Sequence, residues 1–528
     1  MEPQMQAFVD SLRRNMTAED VVNLEACMDC KACGEACAWY LVTGDEKLHP
    51  THKTGFIRQI YRRYLTIEGQ IGGALGLVPT PTVADLQEQM QYFWACTACG
   101  RCTLACPAGI STRRIVRLAR AAYADSGLSY SNPTIKSIIE NTARHRHSFG
   151  LTPAQVIGRI GLFLRTEGIE VPINVYGAEL LFICPAAGNT KIPDYGIKLL
   201  KILNAAGVSY TISPYLVDTG TEIDHIAVHH QLSKQMLEDW EKEADRLGVD
   251  KILLVECGCD TRTLYAEATE TLGRPFRYPI VSVDALMLDL IKQGRLPVEK
   301  THLSVTLHDP CYATRLSGLG DLSRELLSFV TDNFVEMTPN REHNYCCNGG
   351  AGGMRLPENT QVRRQISVLK ANQIRATGAE FVTSPCVVCT LSLEDTCQTY
   401  GLSKSGGRMA LVLFEVVYEA MAAALAKRGA LDQMLVPAAL KNCDQDFFMT
   451  HSLEGWLAAL MESAEFPALI EWLEKDDIVK RFSKDHPEVY EHLRSWREII
   501  QLPKPPAQPL PATSTVDNVN TRAGGKAQ

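Results

Sequence analysis

The chain has 528 residues, an apolar fraction of 45% and a formal net charge of -8. This length exceeds what one hydrophobic core supports and predicts roughly three or four domains. The negative charge gives no reason to expect nucleic acid or an anionic membrane surface as a direct partner. Most of the 18 cysteines stand in tight C-x2-C groups, which favours metal binding in a reducing compartment over a disulfide framework. Residues 1–23 lack the apolar core of a signal peptide, so we expect a cytoplasmic protein.

Two four-cysteine runs stand in the first 150 residues, which have a helical pattern. Both have the spacing C-x2-C-x2-C-x3-C: Cys27, Cys30, Cys33, Cys37 and Cys96, Cys99, Cys102, Cys106. In this bacterial ferredoxin pattern, three cysteines of a run bind one cubane 4Fe–4S cluster and the fourth turns to the other cluster. We therefore expect two crossed ligand sets: Cys27, Cys30, Cys33, Cys106 and Cys96, Cys99, Cys102, Cys37. Structural zinc is the alternative, but two complete runs of equal spacing disfavour it.

The middle of the chain alternates short apolar strands with helices, which predicts α/β units with parallel sheets. Predicted strands at 180–184, 208–212 and 251–257 are followed by a second series at 303–311 and 379–386, and the closing segments 280–294 and 409–423 correspond. This repetition predicts two tandem lobes. The predicted order is a helical ferredoxin-like domain (1–150), two α/β lobes (175–300 and 301–428), a helical extension (429–501) and a disordered Pro-rich tail (502–528).

Five cysteines gather in the second lobe: Cys311, Cys346, Cys347, Cys386 and Cys389. They are more than one mononuclear metal or one cubane needs, so a cluster of unusual shape or a redox-active dithiol remains. His308 and Asp309 precede Cys311, where they either donate to the site or hold the strand end. The loop 348–353 (NGGAGG) does not fit a phosphate-binding motif, and close backbone approach to a cluster explains its glycines better.

The first lobe keeps an incomplete set of possible ligands: Cys184, His229, His230, Cys257 and Cys259. The two histidines stand where the second lobe has its vicinal cysteines. These residues either ligate a metal of another kind or are what remains of a lost site. We favour loss, because exchanging sulfur for nitrogen changes both ligand softness and cluster type.

The pattern C…CCxGG…C-x2-C resembles the cysteine-rich (CCG) domain of heterodisulfide reductases. That resemblance implies a noncubane 4Fe–4S cluster at Cys311, Cys346, Cys347, Cys386 and Cys389, where disulfides are cleaved or formed. The ferredoxin module with two tandem lobes resembles the D-type subunit of membrane-bound heterodisulfide reductase. One complete lobe, one degraded lobe and the C-terminal extension resemble the DsrK family, the iron–sulfur subunits of DsrMKJOP membrane complexes.

The resemblance to the DsrK family implies specific partners and a location. The substrate would be a disulfide or trisulfide of the small protein DsrC. Electrons would be exchanged with the quinone pool through a haem b membrane subunit of the DsrM type, in either direction. The chain would lie on the inner face of the cytoplasmic membrane and touch it only through partner subunits.

A second hypothesis is a pure electron-relay subunit of a flavin dehydrogenase, of the glycolate oxidase or glycerol-3-phosphate dehydrogenase type. Such enzymes carry out their chemistry on a separate flavin subunit, and this chain has no dinucleotide-binding fingerprint. The complete five-cysteine set favours catalysis within this chain. A co-purifying flavoprotein would favour the relay.

Overall fold

The computed structural model describes residues 1–255, 258–403 and 407–501. Two predictions fall outside the described residues: Cys257 as a possible ligand of the first lobe, and the Pro-rich tail 502–528 as disordered. Across the described part of the chain, no helix has the length and apolar character that a bilayer crossing needs.

The N-terminal region is helical, as its sequence pattern predicts. Its helices are Pro3–Asn15, Ala18–Glu25, Ala38–Thr43, Pro50–Leu65, Ile67–Ala74, Val83–Trp94, Arg101–Leu104, Thr112–Asp125, Pro133–His145 and Pro153–Thr166. Thr17 and Thr82 begin two of them with capping boxes, each closed by an aspartate three residues later. The Thr112–Asp125 helix lies at the centre, where Tyr123 packs edge-on against Phe8 with ring centroids 5.0 Å apart.

Two four-stranded parallel sheets follow. The first contains β1 (Leu180–Ile183), β2 (Tyr210–Ile212), β3 (Lys251–Leu254) and β4 (Ile280–Ser282) in the order β2-β1-β3-β4. The second contains β5 (Val305–Leu307), β6 (Phe334–Val335), β7 (Phe381–Ser384) and β8 (Ala410–Val412) in the order β6-β5-β7-β8. The two sheets thus have the same topology, which confirms the prediction of two small α/β units. Strand β6 was not predicted, because two residues are too short to show a period.

Helices complete the two units. The first unit has Ala186–Lys191, Pro193–Ala205, His230–Leu247, Gly258–Thr261, Ala268–Leu272 and Val283–Lys292. The second has Cys311–Arg315, Leu322–Val330, Thr360–Ile366, Val368–Thr377, Val387–Thr399 and Leu413–Arg428. Cys184 follows β1, His308 follows β5, and Cys386 follows β7 after one proline. Ligands of α/β proteins bind at the carboxyl ends of such strands, so the fold carries these side chains to one edge of each sheet.

The C-terminal extension is helical, as predicted, with helices Gln445–His451, Leu453–Glu462, Phe466–Lys475, Asp477–Phe482 and Glu488–Gln501. It packs on the Pro153–Thr166 helix: Phe163 stacks on Phe482 with ring centroids 4.2 Å apart. The buried Arg159 guanidinium also forms a salt bridge with Asp476 over 3.1 Å. The extension therefore belongs to the same core as the first unit.

Candidate metal centres

The eight cysteines of the two runs line two separate cavities. The first-run site is lined by Cys27, Cys30, Cys33 and Cys106. The second-run site is lined by Cys37, Cys96, Cys99 and Cys102. Each cavity thus takes three cysteines from one run and the fourth from the other, which is the crossed grouping that the sequence predicts.

The two runs also share an unusual backbone conformation. Asp29 and Lys31 have φ angles of 54° and 63°, and the equivalent Ala98 and Gly100 have 52° and 74°. Residues other than glycine occupy this left-handed region at a cost and persist there when the surrounding structure demands it. The paired left-handed turns direct successive cysteines of each run towards one centre.

Burial raises the pKa of several thiols in these cavities, among them Cys33, Cys37 and Cys102. Burial raises the pKa of Cys33 to about 11, and the neighbouring Cys106 and Cys27 add to the effect. Burial also raises the pKa of Cys102 well above its ordinary value. Thiols in such places become thiolates only beside a compensating positive charge, which a bound iron–sulfur core supplies. The geometry and chemistry of both cavities therefore fit the 4Fe–4S clusters that the sequence predicts.

The second unit brings its buried cysteines together. The Sγ atoms of Cys347 and Cys389 are 3.2 Å apart, and the backbone N–H of Cys389 donates to Cys386 Sγ over 3.3 Å. Hydrogen bonds with the Cys346 and Cys389 thiols lower the pKa of Cys347 well below its ordinary value. We call Cys311, Cys346, Cys347, Cys386 and Cys389 the five-cysteine site. Its convergent sulfurs fit a thiolate-ligated cluster.

The Gly-rich loop 348–353 makes this approach possible. The backbone N–H groups of Asn348 and Gly349 donate to the Sγ atoms of Cys346 and Cys347 over 3.2 and 3.4 Å. A Cβ atom on Gly349 would lie 3.0 Å from the Val388 carbonyl oxygen, in the helix that carries Cys389. Glycine therefore lets the vicinal cysteines pack directly against that helix, as expected from close backbone approach.

The five-cysteine site adjoins the second-run site. Thr97 Oγ1 lies 3.4 Å from Cys346 Sγ, and Cys346 also lines the second-run cavity. A hydrogen bond with Cys346, together with burial, raises the pKa of Cys99 well above its ordinary value. Burial raises the pKa of Cys311 to about 12, with a further contribution from Cys99. Clusters at these two sites would be close neighbours.

His308 and Asp309 have different environments, although the sequence predicts the same two possible roles for both. The ring of His308 is buried and has a nitrogen within 4.8 Å of the sulfurs of Cys347 and Cys389. The Asp309 carboxylate instead accepts hydrogen bonds from Arg324 over 2.7 and 2.9 Å. His308 therefore belongs to the five-cysteine site, whereas Asp309 holds the end of β5.

Sequence reasoning missed Lys370, a fully buried lysine beside the five-cysteine site. Its Nζ donates to Asn344 Oδ1 over 2.6 Å and to Gln373 Oε1 over 2.5 Å, and Asn344 Nδ2 lies 3.3 Å from His308 Nδ1. Burial lowers the pKa of Lys370 to about 7, against the opposing effect of Cys347. No local signal could have identified it, because a lysine within a helix normally extends into solvent.

The possible ligands of the first unit do not form a compact site among the described residues. Cys184 Sγ lies 3.3 Å from the Tyr195 hydroxyl, and His229 Nδ1 accepts a hydrogen bond from the Leu232 N–H at the start of a helix. His230 is the first residue of that helix. The backbone carbonyl oxygen of Cys259 lies 3.0 Å from His225 Nε2. Cys257 lies outside the described residues.

A different cluster of polar groups occupies the space between the first unit and the N-terminal region. Asp224, His225 and Glu267 place possible ligand atoms within 4.8 Å of one another. Arg117 forms salt bridges with both carboxylates, and Arg262 contacts His225. The arginines supply the positive charge that a metal would bring, so this cluster is an ion-pair network.

Family comparisons agree with this geometry. Residues 23–110 match the family model described as "4Fe-4S dicluster domain", and residues 305–394 match that described as "Cysteine-rich domain". The chain is 27% identical over 434 residues to the "Hdr-like menaquinol oxidoreductase iron-sulfur subunit 2" of Archaeoglobus fulgidus, covering 73% of this chain and 77% of that protein. It is 24% identical over 410 residues to the D-type subunit of the dihydromethanophenazine:CoB--CoM heterodisulfide reductase of Methanosarcina barkeri, covering 72% and 91%.

The chain is similar to the D-type subunit of heterodisulfide reductase. It is also 22% identical over 412 residues to the "EtfAB:quinone oxidoreductase" of Syntrophomonas wolfei, covering 71% of this chain and 56% of that protein. All three relatives bear the names of oxidoreductases or their subunits. The chain is thus an iron–sulfur protein with an N-terminal dicluster domain and a cysteine-rich domain, similar to oxidoreductase subunits of the heterodisulfide reductase D type.

Proposed function

We propose that this chain is the catalytic iron–sulfur subunit of a membrane-associated complex, in which two cubane clusters exchange electrons with a noncubane cluster at the five-cysteine site. The cubanes occupy the first-run and second-run sites. The observation that carries the proposal is the contact of Thr97 with Cys346, 3.4 Å between Oγ1 and Sγ, which joins the relay to the five-cysteine site. Electron transfer needs such proximity between centres.

The chemistry proposed for the five-cysteine site is the cleavage or formation of a sulfur–sulfur bond. Reducing one disulfide breaks the S–S bond, consumes two electrons and two protons, and yields two thiols. A cluster bound there would supply the electrons singly and bind sulfur at iron. The residues of the chain hold the sulfurs in place through the N–H groups of Asn348 and Gly349 and bury Lys370 and His308 beside them.

The resemblance to the DsrK family narrows the partners within this proposal. The substrate is the DsrC disulfide or trisulfide, and a DsrM-like haem b subunit of a DsrMKJOP-type complex links the chain to the quinone pool. The chain lies on the cytoplasmic face of the membrane. Similarity to a menaquinol oxidoreductase subunit supports the link to quinone.

Iron counting with EPR spectroscopy on anaerobically purified protein tests the cluster content. We expect about twelve irons per chain, whereas about eight would mean that only the two cubanes are present. The Cys346→Ala variant should lose disulfide or trisulfide turnover and keep the cubane signals. Cys397→Ala is the matched control, because Cys397 is also buried but stands outside the five-cysteine site. Full turnover by Cys346→Ala would contradict the assignment.

The electron-relay function remains the second candidate, and the similarity to EtfAB:quinone oxidoreductase favours it. In that case the five-cysteine site only passes electrons between a flavoprotein and quinone. Affinity purification from the native membrane separates the two functions. A flavoprotein partner supports the relay, and a haem b subunit together with DsrC supports sulfur chemistry.

A further inference from the structure

Two arginines link the second-run site to the five-cysteine site through backbone carbonyl groups. Arg120 extends from the Thr112–Asp125 helix, and Arg315 ends the helix that Cys311 begins. Arg120 is 1% exposed, and Arg315 is partly buried. Neither has a role in the function proposed above.

Arg120 donates to four carbonyl oxygens in three parts of the chain. Its acceptors are Phe93 at 2.9 Å, Cys96 at 2.7 Å, His225 at 2.7 Å and Ala351 at 2.9 Å. The hydrogen bonds of one guanidinium thus connect the loop of the second run to the first unit and to the Gly-rich loop that follows Cys347. A lysine ammonium cannot reproduce this planar fork.

Arg315 makes the equivalent link from the opposite side. It donates to the carbonyl oxygens of Cys99 at 3.2 Å, Asn344 at 2.5 Å and Glu342 at 2.7 Å. Arg120 and Arg315 therefore each join a cysteine carbonyl of the second run to the segment 344–351, which contains Cys346 and Cys347.

Carboxylates of the described residues do not neutralise the charge of this pair. Among the described residues, neither Arg120 nor Arg315 forms an ion pair with Asp or Glu, whereas Arg117 nearby forms two. The buried Arg120 guanidinium hydrogen-bonds carbonyl oxygens and keeps its positive charge in a medium of low dielectric, which is unfavourable without an opposite charge nearby. Four thiolates outweigh the positive charge of a cubane core, so a bound cluster would supply an opposite charge beside these two arginines.

We propose that Arg120 and Arg315 are positioning residues that hold the loop 96–99 against the segment 344–351 and raise the reduction potential of the second-run cluster. Positive charge favours the reduced, more negative cluster, and the hydrogen bonds fix its separation from the five-cysteine site. This inference rests on the cluster proposed at the second-run site and needs no particular substrate.

The test compares Arg315→Met, Arg315→Lys and Arg120→Lys in the full-length protein with its iron content measured first. EPR redox titration gives the midpoint potential of the second-run cluster, and the spectral splitting between neighbouring reduced centres reports their separation. Arg315→Met should shift the potential negatively and weaken the splitting. Arg315→Lys and Arg120→Lys should change the midpoint potential little but weaken the splitting. Lysine retains the positive charge but cannot donate to several carbonyl groups in the planar arrangement of a guanidinium. Arg497→Met, at an exposed salt bridge, should change neither.

An Arg315→Met protein with full iron, an unchanged potential and unchanged splitting would overturn the inference. If that variant fails to retain iron, the test rests on Arg315→Lys and Arg120→Lys. Unchanged spectral splitting in both would overturn the positioning role of the two arginines. A chain that shows the expected shifts but cleaves no disulfide would contradict the proposed sulfur chemistry alone.

Discussion

The backbone N–H of Gly258 donates a hydrogen bond to Cys386 Sγ over 3.1 Å. Gly258 belongs to the first unit and Cys386 to the five-cysteine site of the second. The first unit, which lacks a complete cysteine set, therefore forms a wall of the other unit's site. Hydrogen bonds to cluster sulfurs tune reduction potentials, so at the proposed cluster this contact would give the first unit a function that needs no metal of its own.

The Gly258→Ala substitution tests whether this contact between the two units affects the five-cysteine site. A Cβ atom there would lie 2.9 Å from Tyr312 Cδ1 and 3.6 Å from Cys386 Sγ, so the Tyr312 ring must move. We expect overpacking to destabilise the protein by about 1–3 kcal/mol. The EPR signal of the five-cysteine site should change while the cubane signals stay.

Gly196→Ala is the control for Gly258→Ala. Gly196 lies inside the Pro193–Ala205 helix, and its Cβ position is open. Alanine there should leave every EPR signal unchanged and stabilise the helix by about 0.5–1 kcal/mol. Equal effects of both substitutions would show that Gly258 has no special contact.

Arg117→Met should strongly destabilise the junction between the N-terminal region and the first unit. Burial alone would raise the pKa of the Asp224 carboxyl, but Arg117, together with smaller contributions from His225 and Arg262, lowers that pKa to about 2. Removing Arg117 leaves buried negative charge unpaired, at a cost of about 3–5 kcal/mol in the free energy of unfolding. Chemical denaturation measures this change.

The exposed pair Arg14 and Asp125 provides the comparison. Arg14→Met should cost less than about 1 kcal/mol, because exposed ion pairs contribute little. The double variant Arg117→Met, Asp224→Asn should recover part of the lost stability. A loss of similar size in Arg14→Met and Arg117→Met would refute the burial argument.

Cys184→Ser and Cys259→Ser should retain the full metal content of the protein. Cys184 contacts a tyrosine hydroxyl, and the possible ligands of the first unit do not converge among the described residues. Elemental analysis of iron and zinc measures the outcome. Loss of about one metal atom per chain in both variants would instead indicate an occupied site there.

Attachment of the C-terminal extension should depend on pH through Glu170. Burial raises the pKa of this carboxyl from 4.5 to about 7, although it accepts N–H hydrogen bonds from Leu453 and Glu454. The folded chain therefore binds more protons than the unfolded chain between these pH values, and stability falls as pH rises through that window.

Hydrogen exchange of the Leu453–Glu462 helix measures this dependence. Relative to Glu170→Gln, which does not titrate, the wild-type helix should be better protected at about pH 5 than at about pH 8. Comparing the two proteins at each pH removes the intrinsic pH effect on exchange. If the ratio of the exchange rates of wild type and Glu170→Gln were the same at both pH values, the prediction would be contradicted.

The features that sequence analysis predicted are those encoded locally. Cysteine spacing predicts the two runs, and apolar strands ending in cysteine predict β1 and β7, because period and spacing need only neighbouring residues. The matching order of the two sheets follows from the repeated strand and helix pattern. The two-residue β6 carries no such pattern and was missed.

The contacts that sequence analysis missed are those between distant parts of the chain. Arg120 and Ala351 are separated by 231 positions, and Gly258 and Cys386 by 128. Each is unremarkable in its own segment, and packing alone makes it part of a site. The buried His225, whose Nε2 lies 3.0 Å from the Cys259 carbonyl oxygen, was not among the histidines that the sequence pattern singled out.

Exposure to solvent differs between the first-run and second-run sites in a way that bears on damage by air. Cys30 of the first-run site is exposed, whereas all four cysteines that line the second-run site are half-buried. Dissolved oxygen reaches the first-run site more readily, so its iron should be released first. Under the proposed function, brief aeration would then leave a protein whose deeper centres are intact but separated from their electron supply.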